Sequence, residues 1–370
     1  MNKTIPFFDI HRLHQGHEQN ISEALQRSFR TGQFILGSNL AHFESSFANY
    51  CESKYCLGTS NGLDALRLCL MATGVGKNDE VIIPDNSFTA VALAVIHCGA
   101  TPVFADVSRR SSLLDPESVR KSITKATKAI IPVHLYGFVC EMDQLNAIAK
   151  EFNLVLIEDF AQAHGAKWKG KKVGSLGTLG ATSFYPSKNL GALGDAGAVT
   201  CQDATLKDKI KIIRDYGTIE RTDTVDEGLN ARLDDMQAAV LNYKLQHLHT
   251  WNSDRRMIAI SYLQKLCFVD ELDFPLPAEE TTPVYHIFSI FTARRDELQN
   301  YLAKHKIETR IHYKIPLHLH TYYKNTGKKF TSLENSIRMC QQQLSLPCYP
   351  GLTEEEITRI CDAIKKFFKP

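Results

Sequence analysis

Lys188 stands in SFYPSKNLGALGDAGAV, where a strand-like run from Ala181 to Tyr185 breaks into a turn studded with glycine. Upstream, VLIEDFAQAHGA carries an apolar run that ends in a carboxylate, Asp159. A strand-end lysine and a buried-strand carboxylate are the pair that pyridoxal phosphate (PLP) chemistry requires. The amine forms a Schiff base with the cofactor, and the carboxylate keeps the pyridine nitrogen protonated so that the ring accepts electrons. Each residue has a plainer alternative: a solvated loop lysine for Lys188 and a helix N-cap for Asp159. Against the second, a carboxylate placed after Leu154-Val-Leu-Ile-Glu158 is costly to bury unless it is paired. Gln162 lies three residues beyond Asp159, within reach of the phenolic oxygen of the same ring if the chain turns there. Ser183, five residues before Lys188, offers a hydroxyl to the cofactor's phosphate.

Two further segments suit a phosphorylated aromatic ligand. Thr59-Ser60-Asn61-Gly62-Leu63 runs from a strand end into a helix start, where free N–H groups and the helix dipole hold phosphate. An ordinary turn capped by Ser60 or Asn61 is the alternative. Phe88 in DNSFTA follows another strand and can stack on a planar ring; a core phenylalanine is the plainer role. Asn230 and Arg232, in GLNARLDDMQAAVL, precede a long helical pattern, which Asn230 could equally cap. His312, His318 and His320 lie in IHYKIPLHLH, whose spacing lacks a closed metal ligand set. A proline-stiffened polar loop at the rim of an active site fits that segment better.

The elements that must position these groups are legible as patterns. Strand-like runs at Tyr55–Gly58, Val81–Pro84, Thr101–Asp106, Ala129–Val133, Leu154–Asp159, Ala181–Tyr185 and Ala198–Cys201 alternate with helical periodicity at Leu63–Met71, Phe88–Cys98, Met142–Phe152 and Thr205–Arg214. Such alternation predicts an α/β domain with a mostly parallel sheet, which binds ligands at the carboxyl ends of its strands. One long helix is expected from Leu233 to about Leu266. Strands at His286–Thr292 and Glu308–His312, a helix at Asp296–His305, and a last helix at Thr353–Phe367 opening on TEEE complete a smaller α+β lobe. The expected division is residues 1–250 and 251–370.

The chain of 370 residues is 44% hydrophobic and carries a net charge of +2 from 43 basic and 41 acidic residues, which gives no reason to expect nucleic acid or membrane binding. It shows no run long enough to cross a bilayer and no signal-peptide pattern in its first twenty residues. Ten cysteines without CxxC spacing read as reduced core thiols of a cytoplasmic enzyme.

The constellation resembles the DegT/DnrJ/EryC1/StrS family of nucleotide-sugar aminotransferases. The matching segments are IPFFDI, TGQFILG, NGLDAL, EDFAQAHGA, SFYPSKNLGALGDAGAV, RDYG, NARLDDMQAAVL and IHYKIPLHL. The resemblance implies the PLP fold type I (aspartate aminotransferase-like) and a homodimer with active sites shared between subunits. It implies that Lys188 carries PLP and moves the proton, Asp159 pairs with the pyridinium, Gln162 bonds the ring oxygen and Phe88 stacks on the ring. Gly62, the Leu63 backbone and Ser183 would hold the phosphate, with Asn230 reaching across from the other subunit. Tyr185, Tyr216, His312, Tyr313 and His318 are assigned to substrate, and no metal is implied. Two departures stand out: Leu63 where many relatives carry threonine, and Lys314 where proline is usual. NGLDAL, IHY and PLH look most like the branch that aminates C3 of dTDP-3-keto-6-deoxyhexoses, with L-glutamate as donor, making sugars for surface polysaccharides or natural products. A C4 aminotransferase and a PLP-binding regulator without activity are the rivals. A PLP-dependent sugar dehydratase is disfavoured, because that branch carries histidine where Lys188 stands.

Overall fold

The structure, a computed structural model, describes residues 3–369. Its main sheet has the spatial order Tyr55–Thr59, Gly197–Cys201, Leu179–Ser183, Val155–Asp159, Thr127–Ile130, Glu80–Pro84, Thr101–Ala105 and Lys328–Lys329. Gly197–Cys201 runs antiparallel to both neighbours; the other strands are parallel. Runs such as Glu80-Val-Ile-Ile-Pro84 are buried at every position, as strands covered by helices on both faces must be. The parallel strands therefore open their carboxyl ends along one edge, beside the amino end of Gly197–Cys201. The fold is that of PLP fold type I, as the sequence led us to expect.

The strand ends are anchored by alternation. Successive side chains on a strand point to opposite faces. Asp159 and Ser183 turn to the open edge, while Phe160 and Phe184, which follow them, are fully buried below. Helix Ser38–Tyr50 brings Phe43 and Phe47 against Phe184 at ring distances of 5.3 and 5.1 Å, and Phe47 stacks on Phe160 at 6.3 Å. Each such pair adds about 0.5–1.5 kcal/mol beyond its buried area. Glu158, on the opposite side from Asp159, accepts the N–H groups of Gly174, Leu176 and Gly177 and faces His134 Nε2 at 3.1 Å. Its charge is fully partnered within the core.

Apolar side chains form two main clusters. The larger gathers the main sheet and its helices; the smaller is built by Ile258, Tyr262, Phe288, Ile290, Leu298, Leu344, Ile360 and their neighbours. The chain crosses between them more than once. Ile5 joins the smaller cluster, while Leu317, Tyr323 and Leu333 return to the larger.

Several elements differ from expectation. The long helix is two, Asp235–Leu245 and Leu248–Leu266. At the break, the N–H groups of Gln246 and His247 bond to Tyr243 and Lys244, a tighter three-residue spacing that ends the first helix without proline or glycine. Glu308–His312 is no strand. Only Arg310 pairs, with Ser345, before the His312 N–H is taken by Gln343 Oε1. The smaller lobe instead pairs Phe288–Phe291 with Gln343–Leu346. The strand expected to reach Tyr185 stops at Ser183, where the hydroxyl accepts the Tyr185 N–H. Thr353 caps the last helix through a reciprocal capping box with Glu356. All ten cysteines are free and eight are buried, and no helix among the described residues is long and apolar enough to cross a membrane.

Candidate active site

A cavity of about 730 Å³ opens at the carboxyl edge of the sheet. Its lining includes Gly62, Leu63, Phe88, Asp159, Gln162, Ser183, Tyr185, Lys188, His312 and Tyr313, all named from the sequence. They arrive from four strand ends and from the segment that follows Arg310.

The phosphate end is built by close approach. Helix Gly62–Ala72 begins at Asn61, whose side chain takes the Asp64 N–H and leaves those of Gly62 and Leu63 to face outward. A Cβ on Gly62 would sit 2.6 Å from Ser183 Cβ, and one on Gly197 2.5 Å from the Asn61 carbonyl. Only glycine lets these three segments meet. Asn61 thus caps the helix and leaves the first N–H groups free to take an anion, so the cap does not exclude the phosphate role weighed for this turn.

The charged pair lies deeper. Asp159 is buried and accepts the Ala161 N–H at 3.1 Å; it caps no helix. Burial raises its pKa, opposed by that N–H and by the charge of Lys188. Burial lowers the Lys188 amine to about 8, opposed by Asp159. Lys188 still touches the cavity, so its amine is desolvated yet reachable. Each charge lacks an opposite charge in direct contact, which suits a site awaiting a cationic ring nitrogen beside Asp159.

Gln162 is oriented from below. Its Oε1 accepts the buried Tyr136 N–H at 2.8 Å, so its amide N–H groups face up. One reaches the Tyr313 hydroxyl at 3.2 Å, leaving a second donor for a ring oxygen. Phe88 is 57% exposed on the cavity wall, 5.9 Å from the Tyr313 ring, and so is free to stack on a ligand instead of filling the core. Tyr136 Oη also donates to the His312 carbonyl, and His312 Nδ1 meets Ser345 Oγ at 2.8 Å. Burial lowers His312 to about 4, keeping it neutral.

Three assigned residues lie elsewhere. His318 is buried outside the lining; its ring Nδ1 meets Asp85 Oδ2 at 2.6 Å and its N–H donates to Oδ1. It anchors the loop and does not face the cavity. Tyr216 and Asn230 sit at the base of an exposed hairpin, Thr218–Ile219 with Asp223–Thr224, outside this chain's cavity. Asn230 caps no helix, since the next begins after Asp234. Arg232 binds Asp215 and lies over the Tyr216 ring at 5.1 Å. Sequence reasoning missed His286, Asp195, Ser187 and Thr89 in the lining. His286 in VYHIFSI carried no spacing signal, because its neighbours are read as strand. No cluster of metal ligands exists among the described residues; His320 Nε2 meets the Ile315 carbonyl, apart from His318.

The donor set fits PLP: an anion cradle at a helix start, an exposed aromatic face, an upward amide donor, a buried carboxylate and a desolvated amine. The comparisons agree. The family model described as the DegT/DnrJ/EryC1/StrS aminotransferase family matches residues 15–365. The chain is 41% identical over 365 residues to the dTDP-3-amino-3,6-dideoxy-alpha-D-galactopyranose transaminase of Aneurinibacillus thermoaerophilus, covering 98% of this chain and 99% of the relative. It is 39% identical over 363 residues to the dTDP-3-amino-3,4,6-trideoxy-alpha-D-glucose transaminase of Streptomyces venezuelae, covering 98% and 96%. The crystal structure of S. venezuelae DesV, in complex with a ketimine intermediate, superposes with a TM-score of 0.97 at 39% identity over the whole of both chains. The chain belongs to the DegT/DnrJ/EryC1/StrS aminotransferase family, enzymes whose cofactor is pyridoxal phosphate.

Proposed function

We propose that the enzyme moves an amino group from L-glutamate to a dTDP-linked 3-keto-6-deoxyhexose, giving a dTDP-3-amino-3,6-dideoxyhexose of galacto or gluco form. The observation that carries this reading is the convergence of Lys188, Asp159, Gln162 and Ser183 on one cavity roofed by His312 and Tyr313. PLP, when bound, supplies the electron sink that lets an amine and a ketone exchange. Asp159 holds the proton on the ring nitrogen, and Gln162 donates to the ring oxygen. Gly62, Leu63 and Ser183 hold the phosphate. Lys188, its pKa lowered by burial, gives and takes the proton at the carbon being aminated. Tyr185, His312 and Tyr313 face the remaining space and would bond the sugar. His318 acts on that space indirectly, by holding the loop to Asp85.

We further propose a homodimer in which the hairpin bearing Tyr216 and Asn230 completes the partner's site. Leu36 and Ile219 are exposed, line one open groove and sit near Arg214 and Arg221, and Phe29, Leu193 and Val225 are also exposed. Such apolar surface favours a partner. The lobes divide near residue 250, with Leu248–Leu266 bridging the two clusters; a cytoplasmic, surface-polysaccharide role is part of the same reading. The test is to supply glutamate and dTDP-3-keto-6-deoxyglucose or -galactose and to locate the new amine by NMR. Nitrogen at C3 supports the reading; nitrogen at C4 replaces it with the C4 branch; no transfer from any amino acid removes it.

A further inference from the structure

His286 lines the cavity, and its protonation can be read from bonds outside it. Asn252 Nδ2 donates to the His164 carbonyl at 2.8 Å. Asn189 Nδ2 donates to the Val284 carbonyl at 3.2 Å and to Asn252 Oδ1 at 2.8 Å. Carbonyls only accept, so both amides are fixed in orientation. Asn189 therefore turns its oxygen to His286, and the ring Nδ1, 3.0 Å away, must carry the hydrogen. Burial, reinforced by the charges of Lys188 and Arg255, lowers the ring's pKa well below its usual value, so no second proton is gained. Nε2 is left bare. His312 has no such constraint, because the Ser345 hydroxyl can donate or accept.

We propose that His286 is a specificity residue for the acceptor: its bare Nε2 accepts a hydrogen bond from a hexose hydroxyl. This rests on the sugar aminotransferase reading above. A lone pair repels the carboxylates of glutamate. An ammonium must give up its proton before transfer, and so weak a base is ill suited to take it. A hydroxyl keeps its proton and needs only an acceptor.

The test uses PLP-loaded enzyme, with L-glutamate and dTDP-3-amino-3,6-dideoxygalactose as separate single-turnover substrates. In His286→Asn the amide nitrogen replaces Nδ1 toward Asn189 and nothing replaces Nε2. In His286→Gln an oxygen reaches the Nε2 position. His286→Asn should slow the amino-sugar half-reaction on the order of tenfold, the effect of one lost hydrogen bond, while glutamate reacts within about threefold of wild type. His286→Gln should recover most of the loss. Nitrogen-15 NMR of the histidines should find His286 protonated at Nδ1 and bare at Nε2. Equal slowing of both half-reactions, unchanged rates in His286→Asn, or a proton on Nε2 would each overturn the proposal. A wild-type enzyme active with glutamate but inert to the amino sugar would remove the sugar reading and the proposal together. An active wild type with an unaffected His286→Asn removes the proposal alone.

Discussion

Lys188 owes its chemistry to desolvation. An exposed lysine is protonated until about pH 10.4, whereas burial lowers this one to about 8. The neutral amine is the form that captures a carbonyl, so the expected sign is a capture rate that rises with pH and levels above about 8. PLP capture by apo-enzyme, followed by absorbance, should rise roughly tenfold per pH unit below that value. A rate still climbing at pH 10 would show a solvated lysine. Borohydride should then fix the cofactor to the peptide containing Lys188, and a label on any other lysine would refute its role. Asp159 depends on the same burial in the opposite sense. Its raised pKa is opposed by the Ala161 N–H and by the charge of Lys188, and on the proposed reading the cofactor's ring nitrogen would be the cation in direct contact. Asp159→Asn should therefore bind PLP but lose turnover by about two to three orders of magnitude, as expected when a preorganised electrostatic partner is removed. Near-wild-type kcat would count against the pairing.

The segment from His312 to His318 is held at both ends. Tyr136 Oη and Gln343 Oε1 fix the His312 backbone, and Asp85 takes the N–H groups of Leu317 and His318 together with the His318 ring. Between these anchors His312 and Tyr313 face the cavity. Different outcomes follow for residues six apart. His312→Ala should slow the keto-sugar half-reaction while the glutamate half-reaction stays within a few fold, because on the proposed reading only the sugar reaches this wall. His318→Ala should instead lower stability by about 1–3 kcal/mol, since it leaves Asp85 partly unsatisfied. Calorimetry of His318→Ala and single-turnover spectra of His312→Ala separate the two. A His318 variant of unchanged melting temperature would show that Asp85 does not anchor the loop.

At the level of the assembled protein, the exposed hairpin is the feature a lone chain leaves unexplained. Tyr216, Ile219 and Val225 are about half exposed, an unusual apolar load for one solvated projection. If Asn230 completes the neighbouring site, mixing inactive Lys188→Ala with a disabling Asn230 variant should restore activity on subunit exchange. One site of each hybrid then holds both native residues. Hybrids shown to form yet remaining inactive would place the phosphate contact within one chain.

What could be read from order alone is local. Short continuous apolar runs and helical stripes are written in neighbours, so the seven long strands, Asp159, Gln162, Ser183 and Lys188 were found from spacing and from EDFAQAHGA and SFYPSKN. The remainder depended on contacts between distant residues. His318 meets Asp85 across 233 positions and Tyr136 meets His312 across 176, so neither anchor leaves a mark in local spacing. The break after Leu245 has no proline or glycine to signal it. Lys328–Lys329 becomes a sheet edge only because Val103 and Phe104 are there to pair with it. His286 enters the site through the folding of the smaller lobe, and its tautomer through two amides and two carbonyls brought together from separate elements. Sequence pattern determines which groups a strand end presents; only packing decides which of them share a cavity and in what protonation state.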